Sequence, residues 1–218
     1  FACRRHLDTL STVPAERVTY ELRLILEARH TRRAAEDLHS IGIDAFAFGF
    51  ELETRDIDGW ERLETPLGEA GGRAVDVIAL LLMDRSGTRA PLLERWTWRR
   101  DEVRDVTAIL RVIDATAANE QELLLTAAEE GVVPSERAAA ILLARVERRK
   151  ASLIDTILRR EPSPFNVQPL LDGKDIATLT GAAGPAVGRL KRTLWEKQVS
   201  GEVRTEEDAR RLVESLSR

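Results

Sequence analysis

Between Val103 and Ile113 the apolar residues are Val103, Val106, Ile109, Leu110 and Ile113. Three- and four-residue spacing gathers side chains onto one face only in an α-helix; the alternation of a half-buried strand is missing. The same period runs through most of the chain. Val18, Leu22, Ile25 and Leu26 repeat it, and the run 74–83, "AVDVIALLLM", reads as a buried helix. Asn119 caps "NEQELLLTAAEEG" and Gly131 stops it. The run 136–160, "ERAAAILLARVERRKASLIDTILRR", has Ser135 as its cap and forms one long helix or two. Ala, Leu and Arg dominate the chain, and these residues favour helix. The predicted fold class is all-α, a helical array.

The interruptions set the organisation. Ser11 and Thr12 are candidate caps for a first helix with Pro14 near its first turn; Thr31 caps a second, which Gly42 stops. Residues 43–73 stand apart, rich in glycine and turn residues, with aromatics alternating at Phe46, Phe48 and Phe50. A short strand-like piece is conceivable there; an irregular loop carrying apolar anchors is the favoured reading. "SGTRAP" at 86–91 breaks the chain again. "EPSPFNVQP" at 161–169 contains three prolines and reads as a linker. Beyond it, Asp172 caps a short helix that Gly181 stops, Pro185 starts another, and Thr205 caps the last. No regular period indicates a solenoid.

The 218 residues are 43% apolar and 32% charged, with a net charge of -4. That charge argues against a general polyanion binder, so any nucleic-acid contact must come from a local basic face. Cys3 is the sole cysteine, which excludes an internal disulfide and a cysteine metal cluster and suits a reducing cytosol. No run of about 18 apolar residues predicts a membrane span. The sequence begins with Phe1, without a signal-peptide pattern, and reads as a fragment or a trimmed chain.

Little catalytic chemistry is visible. His6, His30 and His39 lack paired metal-ligand spacing, and Cys3 lacks an activating histidine motif. Asp56 and Asp58 could hold Mg²⁺ together, though a solvated turn accounts for them better. Gly71 and Gly72 near a helix start could meet a phosphate, but the preceding strand of a true phosphate loop is missing. No catalytic residue and no metal ligand is assigned.

Basic residues give the one positive signal. In "GKDIATLTGAAGPAVGRLKRTLW", Gly173–Trp195, Gly181 can end one helix and Gly184–Pro185 start the next, leaving unpaired amides at the positive end of its dipole. Gly188 permits close approach of another backbone. Arg189 and Arg192 lie about one turn apart with Lys191 alongside, a grouping that can meet successive phosphates without reading bases. A second basic group comprises Arg145, Arg148, Arg149, Lys150, Arg159 and Arg160, with Arg145, Arg149 and Lys150 as a stripe on one helix face. In each case a corner or a solvated face is the plain alternative.

The segment "LLDGKDIATLTGAAGPAVGRLKRTLWEKQVSGEVRTEEDARRLVESL" resembles the C-terminal end of bacterial tRNA nucleotidyltransferases and related poly(A) polymerases. The positions that carry the likeness are Leu171, Gly173, Lys174, Asp175 and Ile176; Gly184, Pro185 and Gly188; and Gly201, Glu202, Val203 and Thr205. "VPAERVTYELRLIL" resembles the family segment joining neck to body, through Glu16, Arg17, Val18, Glu21 and Leu22. The resemblance implies the end of a neck at 1–42, a helical body at 43–160 and a helical tail with its Gly-Pro turn at 161–218. It also implies that nucleotide addition resides in a head absent from this sequence. Gly71, Gly72, Arg73 and Asp76, with Asp56 and Asp58 upstream, have the wrong order and spacing for the head's motifs, and the nucleotide-selecting motif is missing at "EDLHS". Catalytic roles are therefore not carried over.

On this reading the chain is a cytoplasmic tRNA-binding portion, with tRNA or another structured RNA and a catalytic head domain as partners and no membrane association. Mg²⁺ and ATP or CTP belong to the head, and this chain needs no cofactor. The RNA-binding residues expected are Lys174, Gly184, Gly188, Arg189, Lys191 and Arg192, with Arg145, Arg148, Arg149 and Lys150. The rival readings are a helix-hairpin-helix DNA-binding module and a helical protein-interaction scaffold.

Overall fold

The computed structural model describes residues 3–28, 31–63 and 72–217. A 3-10 helix, Cys3–Thr12, leads into α1 (Ala15–Leu26), α2 (Thr31–Ile41), α3 (Ile43–Phe48), α4 (Thr54–Arg62) and α5 (Gly72–Leu82). There follow α6 (Ser86–Arg95), α7 (Arg100–Ala115), α8 (Glu120–Glu130), α9 (Val132–Ala144) and α10 (Arg148–Leu158). A 3-10 turn at Pro164–Asn166 precedes α11 (Gly173–Thr180), α12 (Pro185–Ser200) and α13 (Glu206–Leu216). The fold is all-α, with no strand among the described residues.

The buried apolar residues form two clusters. The larger centres on α5, where Val77, Ala79, Leu80, Leu81 and Leu82 are wholly enclosed. A helix apolar on every side must lie inside, and α5 does, against α7, α9, α4 and α1. The apolar stripe of α7 reaches the same core: Val106, Ile109, Leu110 and Ile113 are buried, and Val103 lies at its edge. The smaller cluster joins Leu171, Ile176, Leu194, Val203, Ala209 and Val213. α12 serves both, with Leu194 in the small core and Val199 and the half-buried Trp195 in the large one. From the linker, Phe165 and Val167 also pack on the large core.

Several local expectations need correction. Residues 43–62 form two helices rather than an irregular loop. Gly42 (φ 79°) and Gly49 (φ 77°) bracket α3 in the left-handed region, so the six residues between them complete one short helix. Phe48 is buried and Phe46 and Phe50 half-buried, so the aromatics do act as anchors. Phe46 packs on Trp96 at 5.5 Å between ring centres, and the Trp96 Nε1–H donates to the Ala47 carbonyl at 2.7 Å. The remainder of the expected loop, 64–71, lies outside the described residues. Ser86–Pro91 does not break the chain. α6 carries Pro91 within it, where the missing N–H removes only the bond back to Gly87. α1 has Pro14 rather than Ser11 or Thr12 at its N-cap, without a side-chain bond. α9 begins at Val132, so Ser135 lies inside it and its hydroxyl donates to the Gly131 carbonyl at 2.8 Å.

The run 136–160 is two helices, and the break has a defined cause. The Glu147 N–H donates to the Leu142 carbonyl at 2.7 Å and the Val146 N–H to the Leu143 carbonyl at 3.0 Å. That pair of bonds is a Schellman cap, which demands a left-handed residue in the place Val146 occupies. Val146 adopts φ 64°, and it is the non-glycine residue with positive φ among the described residues. A β-branched side chain costs about 1–2 kcal/mol there relative to its ordinary conformation. Replacing Val146 with glycine is expected to raise unfolding stability by roughly 0.5–1 kcal/mol after glycine's own entropy loss, read by urea denaturation with an unchanged slope.

Candidate nucleic-acid interface

The Gly-Pro turn folds as its residues dictate. The Asp172 carboxylate accepts from the Lys174 and Asp175 amides at 2.7 and 2.8 Å, and the Asp175 carboxylate accepts from the Asp172 amide at 2.9 Å. Those bonds hold Asp172 below the usual carboxylate range, the Asp175 amide contributing most. Gly181 (φ 68°) closes α11, and Gly184 (φ 55°, ψ -129°) opens α12 with Pro185 as its first residue. Both conformations exclude most L side chains. α8, α11 and α13 each have a side-chain acceptor at the N-terminus, from Asn119, Asp172 and Thr205. α12 has none, and its first turn is solvent-exposed at Gly184, Pro185 and Gly188. A Cβ added to Gly184 or to Gly188 would meet nothing within 4 Å.

The cations around this turn divide into two kinds. Lys174, Arg189 and Lys191 are exposed and make no ion pair among the described residues. Arg192 is engaged: its two terminal nitrogens donate to the Glu129 carboxylate on α8, both at 3.2 Å, and Nε donates to Glu196 at 2.8 Å. Its guanidinium also lies 4.8 Å from the centre of the Trp195 ring. The bond to Glu129 comes first among the interactions that raise its pKa. Arg192 is therefore a brace between α12 and α8.

The expected trio on α12 does not share one face. At about 100° per residue, Arg189 and Lys191 point to opposite sides of the helix. Arg189 borders a hollow of about 490 Å³ with Gly181, Ala182, Thr193 and Leu216. Lys191 borders a second, of about 280 Å³, with Pro169, Gly188, Trp195 and Gln198.

The second basic group changes more. Arg148 and Arg149 are exposed at the start of α10 without ion pairs, and Lys150 lies 3.4 Å from Glu147. Arg145 is not part of an exposed stripe; its side chain is 5% exposed and turned inward. Its Nη1 donates to Asp56 at 2.6 Å and its Nη2 to Asp84. The cause is the cap at Val146, which ends α9 and aims Arg145 at α4. Gly59 on α4 makes room for it, since a Cβ there would lie 3.0 Å from the Arg145 Cδ and 3.2 Å from a Leu80 methyl.

Asp56 is the residue that the sequence hid. It is wholly buried, and besides Arg145 it accepts from Arg85 at 3.2 and 2.6 Å and from the Glu53 amide at 3.0 Å. Burial pushes its pKa up; the bonds from Arg85, Glu53 and Arg145 outweigh that and hold it below the ordinary value. Asp58 turns the other way, to Arg32 at 3.1 Å and Arg62 at 3.4 Å. Neither the Mg²⁺ pair nor the solvated turn forms, because two residues apart on α4 face different neighbours. Among the described residues no three histidine, cysteine, aspartate or glutamate side chains gather as metal ligands. His30, Gly71 and the side chains of Cys3 and His6 lie outside the described residues.

Among known proteins, the chain is similar to a CCA-adding enzyme of Pediococcus pentosaceus, 26% identical over 135 residues. The similarity covers 61% of this chain and 34% of the relative, so the chain spans about a third of the protein it matches. No family profile and no solved structure matches. Among the described residues no helix is long and apolar enough to cross a membrane.

The buried carboxylate gives a direct test. Asp56→Asn is expected to destabilise the fold by about 3–5 kcal/mol, because Arg145 and Arg85 lose a charged partner within the protein. Since the native pKa lies below the unfolded one, this stabilisation is complete above the unfolded value near 4 and fades as pH falls through the native value. Thermal unfolding midpoints between pH 7 and pH 3 measure it: the gap between wild type and variant should narrow only at the acid end.

Proposed function

We propose that this chain is the tRNA-holding helical portion of a tRNA nucleotidyltransferase-like protein. In this reading 1–42 ends a neck, 43–160 is the body and 161–218 the tail, and a head domain outside this sequence performs nucleotide addition. Mg²⁺ and ATP or CTP serve that head, and no cofactor is assigned to this chain. Support comes from the similarity to a CCA-adding enzyme, together with the uncapped start of α12.

Gly188 carries the proposal. It lies in the exposed first turn of α12 at ordinary helical geometry, and no neighbour needs the space a methyl group would fill. Glycine inside a helix costs about 0.5–1 kcal/mol relative to alanine. Among the described residues no contact offsets that penalty, whereas the approach of an external backbone would. At the exposed start of α12 Pro185 has no N–H and the Ala186 N–H already donates to the Ala183 carbonyl at 3.3 Å, so a phosphate seated there would rely on the positive end of the helix dipole, with Gly188 clearing the way for the sugar. Arg189 then adds charge on one flank and Lys191 on the other, with Lys174 on α11 as a further contact. Arg192 holds α12 in place through Glu129 instead of donating to the RNA. Arg148, Arg149 and Lys150 form a separate basic group at the start of α10, and Arg145 supports it from within. Contacts of this kind hold RNA by backbone and shape, without reading bases.

Gly188→Ala separates fold from function. It should leave the fold as stable or up to about 1 kcal/mol more stable, yet weaken tRNA binding several-fold in a filter-binding assay. Unchanged affinity would remove the reason for Gly188. The double variant Arg189→Ala, Lys191→Ala should lower the slope of log affinity against log salt by about one for every phosphate these two cations neutralise. Duplex DNA competing with tRNA on equal terms would favour the helix-hairpin-helix reading instead.

A further inference from the structure

We propose that the cleft where the two cores meet is a phosphate-binding site built by Arg160 and Arg204. Arg160 lies just past Arg159, the C-cap of α10, two residues beyond Leu158 of the large core; Arg204 follows α12 and flanks Val203 of the small one. Both line one cleft of about 380 Å³, with Ser163, Asn166 and Gln198 as further polar neighbours.

The two guanidinium groups are brought together by the same helix end. Arg160 Nη2 donates to the Ser200 carbonyl at 3.2 Å, and Arg204 Nε donates to the Gly201 carbonyl at 2.9 Å. The two carbonyls belong to the last residue of α12 and to its C-cap, and both arginines line the one cleft beside them. Neither makes an ion pair among the described residues, unlike Arg85, Arg145 and Arg192, which are all matched to carboxylates. Glu161, the carboxylate in the cleft lining, pairs with neither. Each guanidinium has five N–H groups and directs one of them to its carbonyl, and two such planar forks suit the oxygens of a phosphate.

The charge balance explains why both are needed. The α12 C-terminus carries roughly half a negative charge and Glu161 stands at the rim, so a single guanidinium would leave little attraction for an anion. Two leave a net positive site. Arg204 is positioned by the bond from its Nε to the Gly201 carbonyl. Because one cation follows the large core and the other belongs to the small one, a bound phosphate would bridge the seam between them.

This site does not depend on the tRNA reading, since the chemistry recognised is phosphate, from an RNA backbone or free in solution. The test uses the full chain. Inorganic phosphate should raise the thermal midpoint above that in chloride at equal ionic strength, and Arg160→Gln and Arg204→Gln should each abolish the difference while Arg189→Gln preserves it. Arg204→Lys, which keeps the charge and loses the fork, should retain only part of it; Arg204 is exposed, so its two variants carry the test if Arg160→Gln disturbs the fold. In a parallel arm, several-fold weaker tRNA binding by Arg204→Gln identifies RNA as the phosphate source, and unchanged tRNA binding identifies free phosphate. The proposal is overturned if phosphate stabilises no more than chloride, or if both glutamine variants keep the full effect. If Gly188→Ala leaves tRNA binding intact while the phosphate effect disappears with Arg204, the tRNA reading fails and the cleft survives.

Discussion

A carboxylate with no access to water fixes the geometry of the larger core. Asp56 has no solvent to accept, so its oxygens must be satisfied by Arg85, Arg145 and the Glu53 amide. Those partners come from the start of α6, the end of α9 and the start of α4, and one side chain therefore joins three elements far apart in sequence. The arrangement also sets what can lie outside. With Arg145 drawn in through the gap at Gly59, the corner between α9 and α10 is held from beneath, and Arg148 and Arg149 are the cations left at its surface. Val146, strained at the outer edge of that corner, is the local penalty for turning the chain there.

The same logic separates supporting from available charge elsewhere. Arg23 with Glu102, Arg89 with Asp114 and Arg137 with Asp76 all join distant segments. Arg192 with Glu129 does so between α12 and α8. Among the described residues, exposed or half-exposed arginines without an ion pair include Arg189 by the Gly-Pro turn, Arg148 and Arg149 at the start of α10, Arg160 and Arg204 in the cleft at the seam, and Arg95 and Arg100 where α6 meets α7. With a net charge of -4, any attraction for an anion is local and arises where carboxylates are missing.

Much of the helical framework was legible because it rests on local chemistry. Asn119, Asp172 and Thr205 cap the helices that their positions announce, and Gly42, Gly131 and Gly181 end those before them. The apolar period of α7 likewise marked its buried face. The misreadings at Phe46–Phe50, Asp56 and Arg145 share one cause: partners remote in sequence. Alternating phenylalanines suggested a loop because Gly42 and Gly49 cannot be seen to close a helix until the aromatics have Trp96 to pack against. Arg145 read as surface because Asp56 lies 89 residues away. The buried role of Asp56 had a faint trace in Gly59, a helical glycine with no turn to make. Likewise, nothing in the order of Arg189, Lys191 and Arg192 reveals that Glu129 claims the last of them.

The placement of the tryptophans gives this protein an internal optical gauge. Trp60 is wholly enclosed in the larger core, whereas Trp195 is half-buried at the seam with the Arg192 guanidinium over its ring. An indole beneath a cation and beside two cores senses their separation, and an enclosed indole does not. With Trp96 and Trp98 replaced by phenylalanine, light emitted from Trp195 would follow the seam between the cores against the enclosed Trp60.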